Sequence, residues 1–235
     1  LVINNGAYGQ RMLDICGVYY RDDQVHELKY GDQERTTTLE IVDFLKKHGN
    51  VTHLAIVHHE TTTGLLNPVE EIFQACRSFN ISFIVDAMSS YAGIPIDLSA
   101  TPYDYLISSS NKCIQGMAGL SFVLAKRAKL DTLKDRPAKN FSLDLHQQYL
   151  SLSGSGQMRF TPPVQVIYAL KQALAEYFIE GGAERYERYV CSWQCLVAGL
   201  KDLGLSLLLP LELHSKILTA IKEPQLTGFN FEDIK

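Results

Sequence analysis

Short apolar runs alternate with longer amphipathic stretches along this chain, and that alternation narrows the fold to an α/β layer structure. Leu54 to His58, Ile81 to Val85, Tyr103 to Ser108 and Leu120 to Ala125 read as strands. Ile81 to Val85 is apolar enough for burial on both faces, as central parallel strands are. Thr38 to His48 reads as a helix with Leu39, Val42, Phe44 and Leu45 as its apolar residues. Pro68 opens another through about Phe79, with Glu70 and Glu71 near its positive end. Val164 to Ile179 and Ala183 to Leu203 read as two long helices parted by Gly181-Gly182. The predicted strands at 103–108 and 120–125 are joined only by residues 109–119. That is short for a parallel crossover, which needs a dozen or more residues, so an antiparallel neighbour is expected inside a mostly parallel sheet.

Composition sets the remaining bounds. Hydrophobic residues make up 46% and charged residues 20% of the 235, as in ordinary soluble globular chains. The formal charge is -4 and no basic stripe stands out, so nucleic acid is not expected as a partner. No apolar run reaches the roughly 20 residues that span a bilayer, so no membrane partner is expected. The longest, Leu203 to Leu213, is broken by Gly204, Ser206 and Pro210. Five scattered cysteines do not form a disulfide framework, and a reducing cytoplasm is the simplest setting. Cys191 and Cys195 lie four apart on a predicted helix without a second ligand pair, so no metal site is expected.

Leu1-Val2-Ile3 reads as the tail of a buried strand, and a new element starts within Phe229 to Lys235. The expectation is a piece of something longer, with residues 1–200 as one large domain lacking its N-terminal part and residues 201–235 as the beginning of a second, truncated one.

Chemistry in open α/β sheets gathers beyond the carboxyl ends of the strands. Three such ends are polar here. Phe83-Ile84-Val85-Asp86-Ala87 puts a carboxylate right after a buried strand, which is costly without a partner. A protonated pyridine nitrogen suits it; so does a simple turn-capping role, since Ser89, Ser90 and Gly93 follow. Ser108-Ser109-Ser110-Asn111-Lys112-Cys113 puts a lysine in a small polar loop, either solvated or a Schiff-base lysine. Asp86 and Lys112 are separated by one strand, which sets both at one edge of the sheet, close enough to hold opposite ends of one ring. His59-Glu60-Thr61-Thr62-Thr63-Gly64 offers hydroxyls to a ring oxygen or phosphate, or is a threonine-rich turn; His58 and His59 suit packing as well as function.

With these motifs in place the sequence resembles the class V, fold-type I aminotransferases that use pyridoxal 5'-phosphate (PLP). The matching strings are Asn4-Asn5-Gly6-Ala7-Tyr8-Gly9-Gln10-Arg11, Glu60-Thr61-Thr62-Thr63-Gly64, Val85-Asp86-Ala87-Met88-Ser89-Ser90, Ser109-Ser110-Asn111-Lys112-Cys113-Ile114-Gln115-Gly116 and Arg159-Phe160-Thr161-Pro162-Pro163. They stand in family order over most of the chain. The resemblance implies a three-layer large domain with a mostly parallel sheet and one antiparallel strand, plus the start of a small C-terminal α+β domain. It implies Lys112 as catalytic Schiff-base lysine and proton shuttle, and Asp86 as partner of the pyridine nitrogen. Tyr8 is implied to stack on the ring, Thr63 to lie near the ring oxygen, and Thr161 to reach a neighbouring subunit's cofactor phosphate in a homodimer with shared active sites. By residues alone, Tyr8 is equally a core tyrosine and Thr161 a turn residue before Pro162-Pro163. The first and fourth strings imply the branch that transfers the amino group of 2-aminoethylphosphonate to pyruvate, giving phosphonoacetaldehyde and alanine, a reaction of phosphonate degradation.

Two family features have no counterpart here. A Ser-Gly-Thr cofactor-phosphate segment lies upstream of the Asn-Gly-Ala-Tyr motif, where only five residues precede Gly6. The substrate-binding arginine lies in the C-terminal domain, past Lys235. Other class V aminotransferases, of the alanine–, serine–glyoxylate or pyruvate type, stay open as alternatives, and so does a non-catalytic dimeric scaffold. A cysteine desulfurase fits less well, because Cys113 reads as a packing residue and no reactive-cysteine loop is found.

Overall fold

The structure is a computed structural model that describes residues 1–225 and 229–233. Its elements run β1 (Val2–Asn4), α1 (Ala7–Tyr19), β2 (Glu27–Lys29), α2 (Thr38–Lys47), β3 (His53–Val57), β4 (His59–Glu60), β5 (Leu65–Leu66), α3 (Val69–Cys76), β6 (Ser82–Asp86), β7 (Tyr105–Ser109), β8 (Ser121–Ala125), α4 (Arg127–Asp131), α5 (Leu145–Ser155), α6 (Val164–Glu180) and α7 (Gly182–Asp202). Six strands form one sheet in the order β2-β1-β3-β6-β7-β8, and β4 pairs with β5 in a small hairpin. Every pairing in the large sheet is parallel except β7 with β8, where Tyr105 faces Ala125 and Ser109 faces Ser121. The short 109–119 connection thus carries an antiparallel turn, as its length requires.

Side chains alternate across the strands, so one face collects Ile3, Leu54, Ile56, Phe83, Val85 and Leu106. Ile41 and Leu45 of α2 and Ile72 and Phe73 of α3 close over that face. Phe73, Phe83 and Tyr103 meet with ring centroids 5.2–5.7 Å apart. The other face of β6 is only partly covered, since Ser82, Ile84 and Asp86 stay half-buried. Burial of this strand is therefore uneven, tighter on the α2–α3 side than on the other.

Helix α2 starts where Thr37 accepts the Glu40 amide and donates its hydroxyl to Oε2 of Glu40, and it ends on Lys46 and Lys47. Helix α1 docks on the opposite face of β1, with Asn4 donating to Gln10 at 3.1 Å. Gly9 makes this docking possible: a Cβ there would stand 2.8 Å from Cα of Asn4. At the amino ends of the strands Asp104 is buried. It accepts the Phe83 amide at 2.8 Å and Lys126 at 2.9 Å, which ties β6 to the end of β8.

After α7 the chain returns to the β4–β5 hairpin. His214 bridges to Leu65, and the Ser215 amide donates to the Gly64 carbonyl at 2.9 Å. The element expected at 229–235 is a single 3-10 turn over Phe231–Asp233, and Ile234 and Lys235 lie outside the described residues.

Candidate active site

Three carboxyl-terminal segments of adjacent strands meet at one edge of the sheet. Asp86 is the last residue of β6, in register with Val57 of β3 and Ile107 of β7. Backbone bonds lock it on both sides: the His58 amide donates to its carbonyl at 2.8 Å, and the Ala87 amide donates to Ile107 at 2.9 Å. Its Oδ1 accepts the Met88 amide at 2.9 Å. Among the described residues Asp86 forms no salt bridge. Burial pushes its carboxyl above the usual range, while the Met88 amide and the nearby Arg11 charge pull it back. Such a carboxylate is short of a cation.

Lys112 lies just past β7, on the loop that leads into β8. Ser110 organises that loop: its hydroxyl donates to the Met117 carbonyl at 2.6 Å and its carbonyl takes the Gly116 amide at 2.8 Å. Tyr8 comes from the first turn of α1, with the Arg11 guanidinium 5.0 Å from its ring centre. Asp86, Lys112 and Tyr8 line one small open cleft, whose other walls include His59, Thr61 and Ser89. The edge-sharing expected from the spacing of Asp86 and Lys112 is what the topology delivers.

The other two sequence-nominated residues stand outside that cleft wall. Thr63 is buried behind it, its Oγ1 accepting the Leu65 amide at 3.4 Å. Thr161 is exposed, in the segment ahead of α6.

Two residues gain a role that sequence reasoning left unassigned. Glu60 is 0% exposed and takes the Gly9 amide at 2.8 Å and the Tyr8 amide at 3.2 Å. It anchors the first turn of α1, and with it Tyr8, to the β4–β5 hairpin. Burial raises its carboxyl pKa, and the two amides partly offset this. His59 is 3% exposed, and its Nδ1 lies 3.0 Å from the Ser89 hydroxyl, which is also 3.2 Å from the His59 carbonyl. With the Ser89 proton given to that carbonyl, the ring donates from Nδ1 and leaves Nε2 as an acceptor. That Nε2 is buried and has no partner among the described residues. Burial lowers the His59 pKa to about 4, and burial lowers that of His58 to about 3 with the His59 charge adding to it. His58 is held to Ser90 at 2.9 Å. Both rings are neutral and pin the turn after β6 to the end of β3.

The donor set fits PLP. A cation-short carboxylate meets a protonated ring nitrogen, a primary amine meets an aldehyde, and Tyr8 offers an aromatic face. Cys113 does not fit a nucleophile's part, because burial pushes its thiol up to about 11.

A six-stranded, mostly parallel sheet with these groups at its carboxyl edge defines the large domain of a PLP-dependent transferase. Residues 20–222 match the aminotransferase class-V family, and the chain belongs to that family. It is 45% identical over 236 residues to 2-aminoethylphosphonate–pyruvate transaminase of Syntrophobacter fumaroxidans, matching 100% of this chain and 63% of that protein. It is 42% identical over 234 residues to the protein of the same name from Bacteroides fragilis, covering 99% and 64%. The chain therefore spans somewhat under two thirds of these curated relatives. Among solved structures, alanine–glyoxylate aminotransferase of Nostoc superposes with a TM-score of 0.91 at 28% identity, covering 99% of this chain and 61% of the other.

Proposed function

We propose that this chain is the cofactor-holding part of an aminotransferase that moves the amino group of 2-aminoethylphosphonate to pyruvate. The observation that carries the aminotransferase reading is the meeting of Asp86, Tyr8 and Lys112 in one cleft. The substrate assignment is supported by the names of relatives matched along the whole of this chain.

Bound PLP supplies a protonated ring that draws electron density from the carbon carrying the substrate nitrogen. Asp86 would accept the ring N–H and keep it protonated. Tyr8 would cover one ring face. Lys112 would be the covalent anchor through Nζ, and when free that amine would move a proton to and from the substrate's amino-bearing carbon. Thr63 is assigned to the ring oxygen; Thr61, on the cleft wall, is the competing hydroxyl, and comparing Thr61→Val with Thr63→Val separates them. Thr161 is assigned to a second copy's cofactor phosphate. The exposed apolar side chains of Phe160 and Val164 beside it, with exposed Phe141 against Phe160, support a homodimer. Five unpaired cysteines support a reducing, cytoplasmic setting.

Purified full-length protein should be yellow. Borohydride should bleach it and leave a cofactor adduct on the Lys112 peptide, while Lys112→Ala abolishes both adduct and turnover. A protein that stays colourless after PLP is added would sink the cofactor reading. If alanine bleaches the band and 2-aminoethylphosphonate does not, the substrate assignment fails.

A further inference from the structure

The loop that carries Lys112 is gripped from its far side by α7. Arg185, in the first turn of α7, is 2% exposed, and arginine is almost never buried this fully without partners. Its Nη1 donates to the Cys113 carbonyl at 2.9 Å, one residue past Lys112. Its Nε donates to Oε2 of Glu180 at 2.6 Å, and the other Glu180 oxygen takes Nε of Arg188 at 2.6 Å. Hydrogen bonds from Arg188 and Arg185 hold the Glu180 carboxyl down at about 2, so it stays ionised. One turn along α7, the Tyr189 hydroxyl accepts from Gln115 at 2.7 Å.

The opposite side of the loop is also fixed. The protonated Cys113 thiol lies 3.2 Å from the Ser89 carbonyl, and a Cβ on Gly93 would collide with its Sγ. Gln115 holds a left-handed backbone, φ +68°, which a side-chain-bearing residue adopts only when its surroundings enforce it. The loop is thus clamped between the turn after β6, which follows Asp86, and α7. Charge-assisted bonds to a backbone carbonyl are the stronger kind, and Arg185 supplies one where the loop would otherwise bury a bare carbonyl.

We propose that Arg185 is a positioning residue for Lys112: by bonding the Cys113 carbonyl while paired to Glu180, it fixes the loop so that the Lys112 amine faces Asp86 and Tyr8. The inference rests on the cofactor reading above, but its first readout does not need the cofactor. Hydrogen–deuterium exchange on the cofactor-free full-length protein reads the loop directly. Arg185→Met leaves Glu180 its bond to Arg188, so no acid is orphaned. Exchange in the 110–117 peptide should speed up roughly tenfold or more, with β3 and β6 peptides unchanged. Arg185→Lys, which keeps the charge, should fall between parent and Arg185→Met. Glu180→Gln should loosen the same peptide in the same direction. On the PLP-loaded protein, Arg185→Met should release cofactor faster and lower kcat more than it raises KM, because the geometry of the reacting amine is lost.

Unchanged loop exchange in a folded Arg185→Met protein would overturn the proposal, and so would loosening spread evenly over every peptide. If both Arg185 variants fail to fold, Glu180→Gln decides: a loop-specific change supports the clamp, and no such change marks Arg185 as a residue of the general fold. A parent protein that takes up no PLP would refute the cofactor reading while leaving the exchange result intact.

Discussion

Asp86 sets function against stability at a single residue. Among the described residues its carboxylate has one amide donor and no ion pair, and burial already pushes it toward the neutral form. Asp86→Asn keeps the shape and removes the charge. The cofactor-free variant should melt at or above the parent temperature, while turnover drops about a hundredfold, the scale of losing one preorganised electrostatic contact. A variant that melts lower in the cofactor-free state would show that the carboxylate serves the fold. Glu60 should behave in the opposite way. Glu60→Ala would strip the acceptor from the Tyr8 and Gly9 amides and destabilise the protein by about 1–3 kcal/mol, read from urea unfolding, whereas Glu60→Gln keeps one acceptor and should cost less. Asp86 and Lys112 were legible in the sequence because each sits beside a strand whose end is plain from its apolar run. The roles of Glu60 and His59 were not. Both depend on α1 docking across the sheet and on a serine 30 residues away from His59, contacts that no local pattern encodes.

At the scale of elements, legibility tracks how local the driving force is. The four predicted strands and the helices α2, α3, α6 and α7 are found within one to three residues of their expected ends, because apolar period and capping residues are written locally. Helix α1 is not legible in the local pattern. It contains Gly9 and Gly17, which weaken intrinsic helix propensity, and packing on β1 holds it in place. Helix α5 is hard to read for a different reason: its apolar stripe is short, Leu145, Tyr149 and Leu152, and none of its residues is buried. The two α1 glycines make a paired test. A Cβ at Gly17 meets nothing within 4 Å, so Gly17→Ala should stabilise by roughly 0.5–1 kcal/mol through helix propensity. Gly9→Ala enjoys the same propensity gain but drives its methyl into the backbone of Asn4 and Ile3, for a net loss of about 1–3 kcal/mol. Urea midpoints that move the same way for both would mean that α1 does not seat on β1 through Gly9.

Taken as a whole, the molecule carries opposed pH couplings at the edge of one sheet. His58 and His59 titrate near pH 6.5 when the chain is unfolded, but burial lowers them to about 3 and about 4 in the fold. Between those limits the unfolded chain binds more protons than the native one, so stability falls as pH drops below about 6.5. Each ring contributes a slope of up to about 1.4 kcal/mol per pH unit across that window. Glu60 and Asp86 act in the reverse sense. Their native pKa values are raised, so the fold takes up their protons first and gains stability as pH falls through those raised values. Urea midpoints of the cofactor-free protein should therefore fall from about pH 6.5 downward and then flatten as the two carboxyls protonate. His59→Asn keeps a polar partner for Ser89 without a titrating ring, and it should remove part of the initial slope but under half, since burial also lowers the His53 pKa. A midpoint that stays level from about pH 7.5 to 5 would mean that the rings protonate in place, and the packing of His58 on Ser90 and His59 on Ser89 would then have to be looser than the hydrogen-bond distances describe.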